Sequence, residues 1–147
     1  MQYSILNAKN SLPSTEELVE LYDAVGWSAY TRTPERLAPM LAGSRYLYVA
    51  RENTAEGAER LIGLVRAVGD GQTIAYIQDL LVHPQAQRHG IGSALLGRIV
   101  ADFDRKGIRQ RFITTDIVDT PVIELYQRFG FTPVQDNGCV TLAKYVF

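Results

Sequence analysis

Residues 78–96, QDLLVHPQAQRHGIGSALL, constrain the fold more than any other stretch of the chain. An apolar strand segment, Leu80, Leu81 and Val82, runs through a turn at His83-Pro84 into Gln87, Arg88, His89, Gly90, Ile91, Gly92 and Ser93, which open an amphipathic helix. Glycines at 90 and 92 remove the Cβ atoms that would hold a ligand off the backbone, and successive N–H groups at a helix start lack intrahelical partners. The helix dipole adds about half a positive charge there, so the turn is built for a phosphate or pyrophosphate. Two nucleotide motifs do not fit. A P-loop needs a lysine before its hydroxyl residue, whereas Gly92 precedes Ser93, and a dinucleotide fingerprint needs a small third residue where Leu95 stands.

The rest of the chain punctuates clearly. Ser14 and Glu17 have capping-box spacing, and the helix they open carries Leu18, Leu21, Tyr22 and Val25 before Gly26 stops it. Thr33-Pro34 is a second start signal, with Leu37, Met40 and Leu41 at helical spacing, so two short helices are expected ahead of the sheet. Arg45–Arg51 and Leu61–Val68 read as strands joined by the polar loop Glu52–Glu59, and Gly69-Asp70-Gly71 turns the chain into a strand over Thr73–Val82. A helix over Gly90–Arg105, a strand over Gln110–Asp116 and a helix from Thr120-Pro121 to Gly130 follow. Phe131–Val134 and Gly138–Phe147 read as closing strands. Antiparallel strands first, then strand-helix-strand alternation, give an α/β fold on a mixed, mostly antiparallel sheet with helices on both faces.

At 147 residues and 46% hydrophobic content the chain is sized for a single domain spanning residues 1–147. A net charge of −1 offers no electrostatic footprint for nucleic acid or an anionic membrane, and no apolar run approaches a membrane span. Met1–Asn10 lacks the layout of a signal peptide, and a lone cysteine, Cys139, excludes an intramolecular disulfide, which makes a cytoplasmic location the expectation. His83 and His89 have no partner at metal spacing, so no metal is expected.

The pattern Gln87-x-x-Gly90-x-Gly92, preceded by Val82-His83-Pro84, resembles the acetyl-CoA-binding motif of the GCN5-related N-acetyltransferases (GNAT). A second segment at the right distance makes the match specific: Glu124–Phe131, ELYQRFGF, is similar to the family's later helix, with its tyrosine at Tyr126 and its Gly-Phe ending at Gly130-Phe131. The resemblance covers residues 45 to 147 well and the first 44 only as a helical region. It implies the acyl-CoA N-acyltransferase fold and direct attack of an amine on acetyl-CoA, between two parallel strands that diverge. By the same resemblance, backbone groups near Leu81 and Val82 pair with the pantetheine arm. N–H groups of Arg88, His89, Gly90, Ile91, Gly92 and Ser93 hold the pyrophosphate, with Gln87 in the same motif. Tyr126, a phenol at pH 7, donates a proton to the departing thiolate. Asn is usual where Asp119 stands, and an anion beside a phosphorylated donor departs from the pattern.

An alkylammonium must lose a proton before it attacks. Asp79 is the nearest acid in the motif strand and the candidate base, directly or through water, with a buried, paired acid as the alternative. Strict alternation would put Gln78 with Tyr76 on one face and Asp79 on the other. The family carries a bulge here, however, which leaves open which of the three faces the amine. Trp27 and Tyr30, just past a helix stop, are candidate acceptor-binding residues beside Gln78. Residues 21–30, LYDAVGWSAY, resemble small bacterial and plastid arylalkylamine or serotonin acetyltransferase-like proteins, which implies a small amine acceptor. Competing readings are a CoA-binding module without turnover and an acyltransferase for a protein N-terminus. Family members are often dimers, and a final strand over Val140–Phe147 is a candidate for homodimer pairing.

Overall fold

Register and capping, more than propensity, decide where the elements lie in the computed structural model, which describes residues 1–146. The chain divides into two compact units, Met1–Thr114 and Thr115–Phe147.

The first unit is a five-stranded sheet in the order β1 (Tyr3–Asn7), β2 (Tyr46–Asn53), β3 (Glu59–Gly69), β4 (Ile74–Val82), β5 (Gln110–Ile113). Its first three pairings are antiparallel and the last, β4 with β5, is parallel. Between β1 and β2 come α1 (Thr15–Ala24), α2 (Ser28–Thr31), a 3-10 turn at Pro34–Arg36 and α3 (Leu37–Ala42). Between β4 and β5 lie a 3-10 turn at Pro84–Ala86 and α4 (Ile91–Lys106).

Alternation along β2 sorts the two layers. Leu47 and Val49 join Leu18, Leu21, Tyr22, Leu37 and Leu41 of α1 and α3, together with Leu61, Leu64 and Leu81, in one buried cluster. Tyr46 and Tyr48 point the other way, where Tyr46 meets Phe103 of α4 edge-on at 5.0 Å and the Tyr48 hydroxyl donates to Asp102 of α4 at 2.5 Å. Helices therefore cover both faces of the sheet.

α1 starts where the capping box predicts: the Glu17 N–H donates to Ser14 Oγ and the Ser14 N–H to Glu17 Oε2, at 3.2 and 2.8 Å. Glu17 also takes both guanidinium nitrogens of Arg51, at 2.6 and 3.3 Å, which fastens α1 to β2. The excursion that holds α1 to α3 leaves and rejoins the sheet at neighbouring points. Asn7 pairs with Tyr48, the Ala8 N–H donates to the Leu47 carbonyl at 3.1 Å, and the Lys9 ammonium reaches the carbonyls of Ala42 and Ser44. In the β3–β4 hairpin, Asp70 accepts the N–H groups of Gln72, Thr73 and Ile74 and the Thr73 hydroxyl, which holds its carboxyl well below the usual range.

The second unit holds α5 (Thr120–Arg128) and a 3-10 turn at Val134–Asn137. Two expectations change here. The closing strands over 131–134 and 138–147 are not strands among the described residues, and Phe147 lies outside them. Alternating β-formers are present, but a strand is a pairing, and among the described residues no ladder is assigned to 131–134 or 138–146. In the first unit, β1 is a strand that the helical reading of residues 1–44 does not contain, and α2 is an extra short turn of helix after Trp27. The strand expected over Gln110–Asp116 ends at Ile113. No helix among the described residues is long and apolar enough to cross a membrane.

Candidate active site

The parallel pairing of β4 with β5 runs from Ile74↔Gln110 to Ile77↔Ile113 and stops. Beyond it, residues 78–82 keep β3 on one side and have no strand on the other, among the described residues. The register to β3 also breaks there, because Arg66 pairs with Asp79 and Ala67 with Ile77, leaving Gln78 as one extra residue. A bulge puts two consecutive side chains on one side of a strand. Both Gln78 and Asp79 accordingly reach Tyr30 of α2, at 3.5 and 2.7 Å. Tyr76 does not join them; its hydroxyl bonds Thr114.

Asp79 is 2% exposed and surrounded by donors. Its Oδ2 accepts from Arg66 Nε at 2.5 Å and from the Tyr22 hydroxyl at 2.9 Å, and its Oδ1 accepts from the Tyr30 hydroxyl at 2.7 Å. Burial, then the carboxylate charge, raises both tyrosines above the ordinary phenol value. Burial works against the Arg66 charge, but Asp79 outweighs it and the guanidinium is held more firmly protonated. Tyr22, Trp27 and Tyr30 stack in a trio with centroids 4.7 to 6.2 Å apart, Trp27 and Tyr30 half-buried at its rim. Sequence reasoning missed Arg66 and Tyr22. The available signal was one cation in the apolar run LIGLVRAVG and one acid in IAYIQDLLV, on the two arms of one hairpin.

After β4 the chain turns with Arg88 at φ 66° and Gly90 at φ 76°, both left-handed. Alternating left-handed residues aim successive N–H groups into one concavity, a nest for an anion. α4, 16 residues long, starts on Gly90 with no side chain capping it, so the first-turn N–H groups of Ile91, Gly92 and Ser93 are left to a ligand or water. A Cβ built on Gly90 meets nothing within 4 Å. These features suit a pyrophosphate lying on the backbone.

Not every side chain in the motif is free for a ligand. Gln87 donates its amide to the Val82 carbonyl at 3.1 Å, which ties the turn to the strand end, and His89 Nδ1 sits 2.9 Å from the Gln87 carbonyl. Leu81 points into the core under α1. Ile91 is buried against Gly63, where an added Cβ would meet Ile91 Cγ2 at 3.3 Å and Leu95 Cδ1 at 3.1 Å. That close approach, unrecognised from sequence, lets the first turns of α4 rest on β3.

In the second unit, Asp119 stands at the N-terminus of α5 without capping it by its side chain. Tyr126, 7% exposed, meets Phe131 edge-on at 6.4 Å. Burial, with the Asp119 carboxylate second, pushes its phenol up to about 12.

Comparison with known proteins decides what this architecture is. A model of the acetyltransferase (GNAT) family matches residues 12–131. The chain belongs to that family. The acetyltransferase is 30% identical over 131 residues to an uncharacterized N-acetyltransferase of Prochlorococcus marinus, spanning 89% of this chain and 69% of that protein. It is 31% identical over 114 residues to the chloroplastic serotonin N-acetyltransferase 2 of rice, spanning 78% of this chain and 54% of that one. It is 33% identical over 121 residues to a histone acetyltransferase of soybean, again spanning 78% of this chain but 50% of its relative. The enzyme thus covers only about half the length of those plant proteins. A solved GNAT-family acetyltransferase from Streptococcus pneumoniae superimposes with a TM-score of 0.78 at 30% identity, over 99% of this chain and 98% of its own. The mixed, mostly antiparallel sheet with helices on both faces is the fold of these enzymes, and the acetyltransferase belongs to the acyltransferase class.

Proposed function

We propose that the enzyme transfers an acetyl group from acetyl-CoA to the primary amine of a small molecule, by direct attack of the amine. The observation that carries this reading is the uncapped start of α4 behind the two left-handed residues Arg88 and Gly90. N–H groups of Arg88, His89, Gly90, Ile91, Gly92 and Ser93 would hold the pyrophosphate, with the Arg88 guanidinium adding charge. Backbone groups of Leu81 and Val82, on the stretch of β4 that β5 leaves without a strand, would hold the pantetheine arm as an added strand would be held. Gln87 supports the turn through Val82. Acetyl-CoA, when bound, supplies the activated acetyl thioester.

Tyr126 is the proton donor in this reading. A phenol pushed up to about 12 is protonated through the neutral range and has a proton to give the leaving thiolate. Asp119, on the preceding turns of the same helix, brings a negative charge to a phosphorylated donor and would weaken rather than strengthen that contact.

Asp79 suits a positioning role better than that of a base. A base must come within hydrogen-bond reach of the amine, and three protein donors already cover this buried carboxylate. Tyr30, raised by burial and by Asp79, stays a phenol and cannot take the proton either. The acceptor would meet Trp27, Tyr30 and Gln78 and enter as the free amine, so turnover climbs with pH toward the amine's own value near 10. The aromatic rim and the likeness to the rice serotonin N-acetyltransferase both favour an arylalkylamine over a peptide.

Acetyl-CoA-dependent thiol release across arylalkylamines, polyamines, amino acids and peptide N-termini tests the assignment. Arylalkylamines should turn over, and Tyr126→Phe should lower kcat by about 10²–10⁴. Turnover on peptide N-termini alone would refute the acceptor class. Acetyl-CoA binding without any turnover would refute the enzyme reading for these acceptors.

A further inference from the structure

The side chains on the α1 face of the sheet can be followed strand by strand. On β3 they are Leu64, Arg66 and Val68; on β4 they are Ile74, Tyr76 and Gln78 up to the bulge, then Asp79 and Leu81. On β5, Phe112 pairs with Tyr76 and so lies on the same side. Three bands result. Leu64 and Leu81 are buried under α1. Arg66, Asp79 and Gln78 make a polar band, which Tyr30 meets. Next comes an apolar row across three strands, because Val68 pairs with Tyr76 and Tyr76 with Phe112. Unlike the first band, this row is open: Val68 is 41% exposed, Tyr76 and Phe112 are half-buried, and Ile74 beyond them is 37% exposed. The Tyr76 hydroxyl bonds Thr114, which fixes its ring in the row.

We propose that the row of Val68, Tyr76 and Phe112 seats the apolar body of the acceptor, an inference that rests on the placement of the amine at Gln78 given above and adds three specificity residues to it. An acceptor whose nitrogen lies at Gln78 has two directions along β4. Toward Val82 the face is filled by Leu81 and the core under α1; toward Ile74 it is open and apolar. The row lies one pleat repeat from Gln78, about 6.6 Å, which a two- or three-carbon linker spans between an amino group and an aryl ring. Neighbouring strands stand about 4.8 Å apart, so three of them give a flat strip wide enough for a phenyl or indole ring. A polar band bordered by an apolar row matches an amine with a single apolar end. A polyamine would set a second ammonium on the row, where no acid faces it.

The test compares kcat/KM for phenethylamine and ethylamine, which share the nitrogen and differ in the body. The wild type should favour phenethylamine by about tenfold or more, Phe112→Ala should cut that preference by about fivefold, and Val68→Thr by about twofold. Turnover of ethylamine should be unchanged. A variant that merely folds less well lowers both amines alike and leaves their ratio, and Val68 is exposed enough to accept a like-shaped polar residue. Equal use of the two amines by the wild type, or a ratio that both variants keep, would overturn the row while leaving acetyl transfer intact. If neither amine turns over, the acetyl-transfer reading fails for these acceptors, and saturation-transfer NMR of phenethylamine with the protein and CoA judges the row separately. Transfer to the ring protons that Phe112→Ala removes would support it; transfer that is absent, or the same in the variant, would overturn it.

Discussion

Asp79 is the residue at which a stability measurement and a kinetic measurement give opposite answers under the two roles open to it. Its side chain and that of Arg66 are 2% and 8% exposed, so solvent screens the pair very little. Asp79→Asn removes the charge, keeps the shape, and replaces one acceptor oxygen by an NH₂ donor that must face Arg66, Tyr22 or Tyr30. Breaking a buried pair from one side leaves the other charge uncompensated and costs about 3–5 kcal/mol. The whole domain is held by only about 5–15 kcal/mol, so urea unfolding followed by circular dichroism will see the loss as a large shift in midpoint. Arg66→Met should cost a similar amount, and Asp79→Asn combined with Arg66→Met less than the two single losses together, with a coupling of about 2–3 kcal/mol. Tyr30→Phe removes one hydrogen bond to a charged acceptor from a half-buried position, about 1.5 kcal/mol. In a positioning role, Asp79→Asn and Tyr30→Phe both raise KM for the amine, and kcat at saturation stays within about tenfold. If instead Asp79→Asn unfolds within about 1 kcal/mol of the wild type while kcat drops by about 10² or more at constant KM, Asp79 is the base and the positioning role is refuted.

Two further outcomes follow from the same geometry. Gly90→Ala forces a Cβ onto a left-handed residue at φ 76° and points it into open space beside the nest; it should cost about 1–2 kcal/mol in thermal unfolding and weaken acetyl-CoA binding by calorimetry far more than Ser93→Ala does. Tyr22 and Tyr30 have their phenols raised by burial and by Asp79, so the unfolded chain loses those protons first. Stability is therefore full below about pH 10 and falls as pH rises past it; Tyr22→Phe should flatten that alkaline fall in a urea series, and an unchanged slope would count against the buried cluster.

What the sequence made legible was local. Ser14 and Glu17 specify the start of α1 because a capping box closes within four residues, and Gly90 and Gly92 mark the start of α4 because a turn writes its backbone demands into the residues that make it. The bulge at Gln78 could not be read in the same way. It arises where β5 stops and the β3 register slips, so its cause lies on two other strands. Arg66 and Asp79 face each other only through that slip; a hairpin without it would have left either charge to pair elsewhere. β1 was missed because five residues, YSILN, carry too little pattern to outweigh the helices after them, and its evidence is the partner strand β2. The closing strands failed for the converse reason. Their alternation is present in residues 138–146, but no strand is assigned there among the described residues, because alternation supplies a strand's side chains and not its partner.

The neighbouring exits of β1 and β2 have a consequence for how such an enzyme can change its acceptor. Because Asn7 already pairs with Tyr48 and the Ala8 N–H meets Leu47, everything from residue 9 to residue 45 is topologically a single long loop hung from one hairpin. Loop-closure entropy grows only with the logarithm of length, about 0.6 kcal/mol per doubling. Helices in that loop can lengthen, shorten or be exchanged at little entropic expense, provided their inward faces still supply the counterparts of Leu18, Leu21, Leu37 and Leu41. The turn at residues 87–93, proposed to hold the acyl donor, lies outside the loop. If Trp27 and Tyr30 line the acceptor site as proposed, part of the acceptor preference sits in a replaceable cassette, and a chimera that carries another family member's residues 9–45 should shift its choice of amine toward that protein's while Gln78 stays in place.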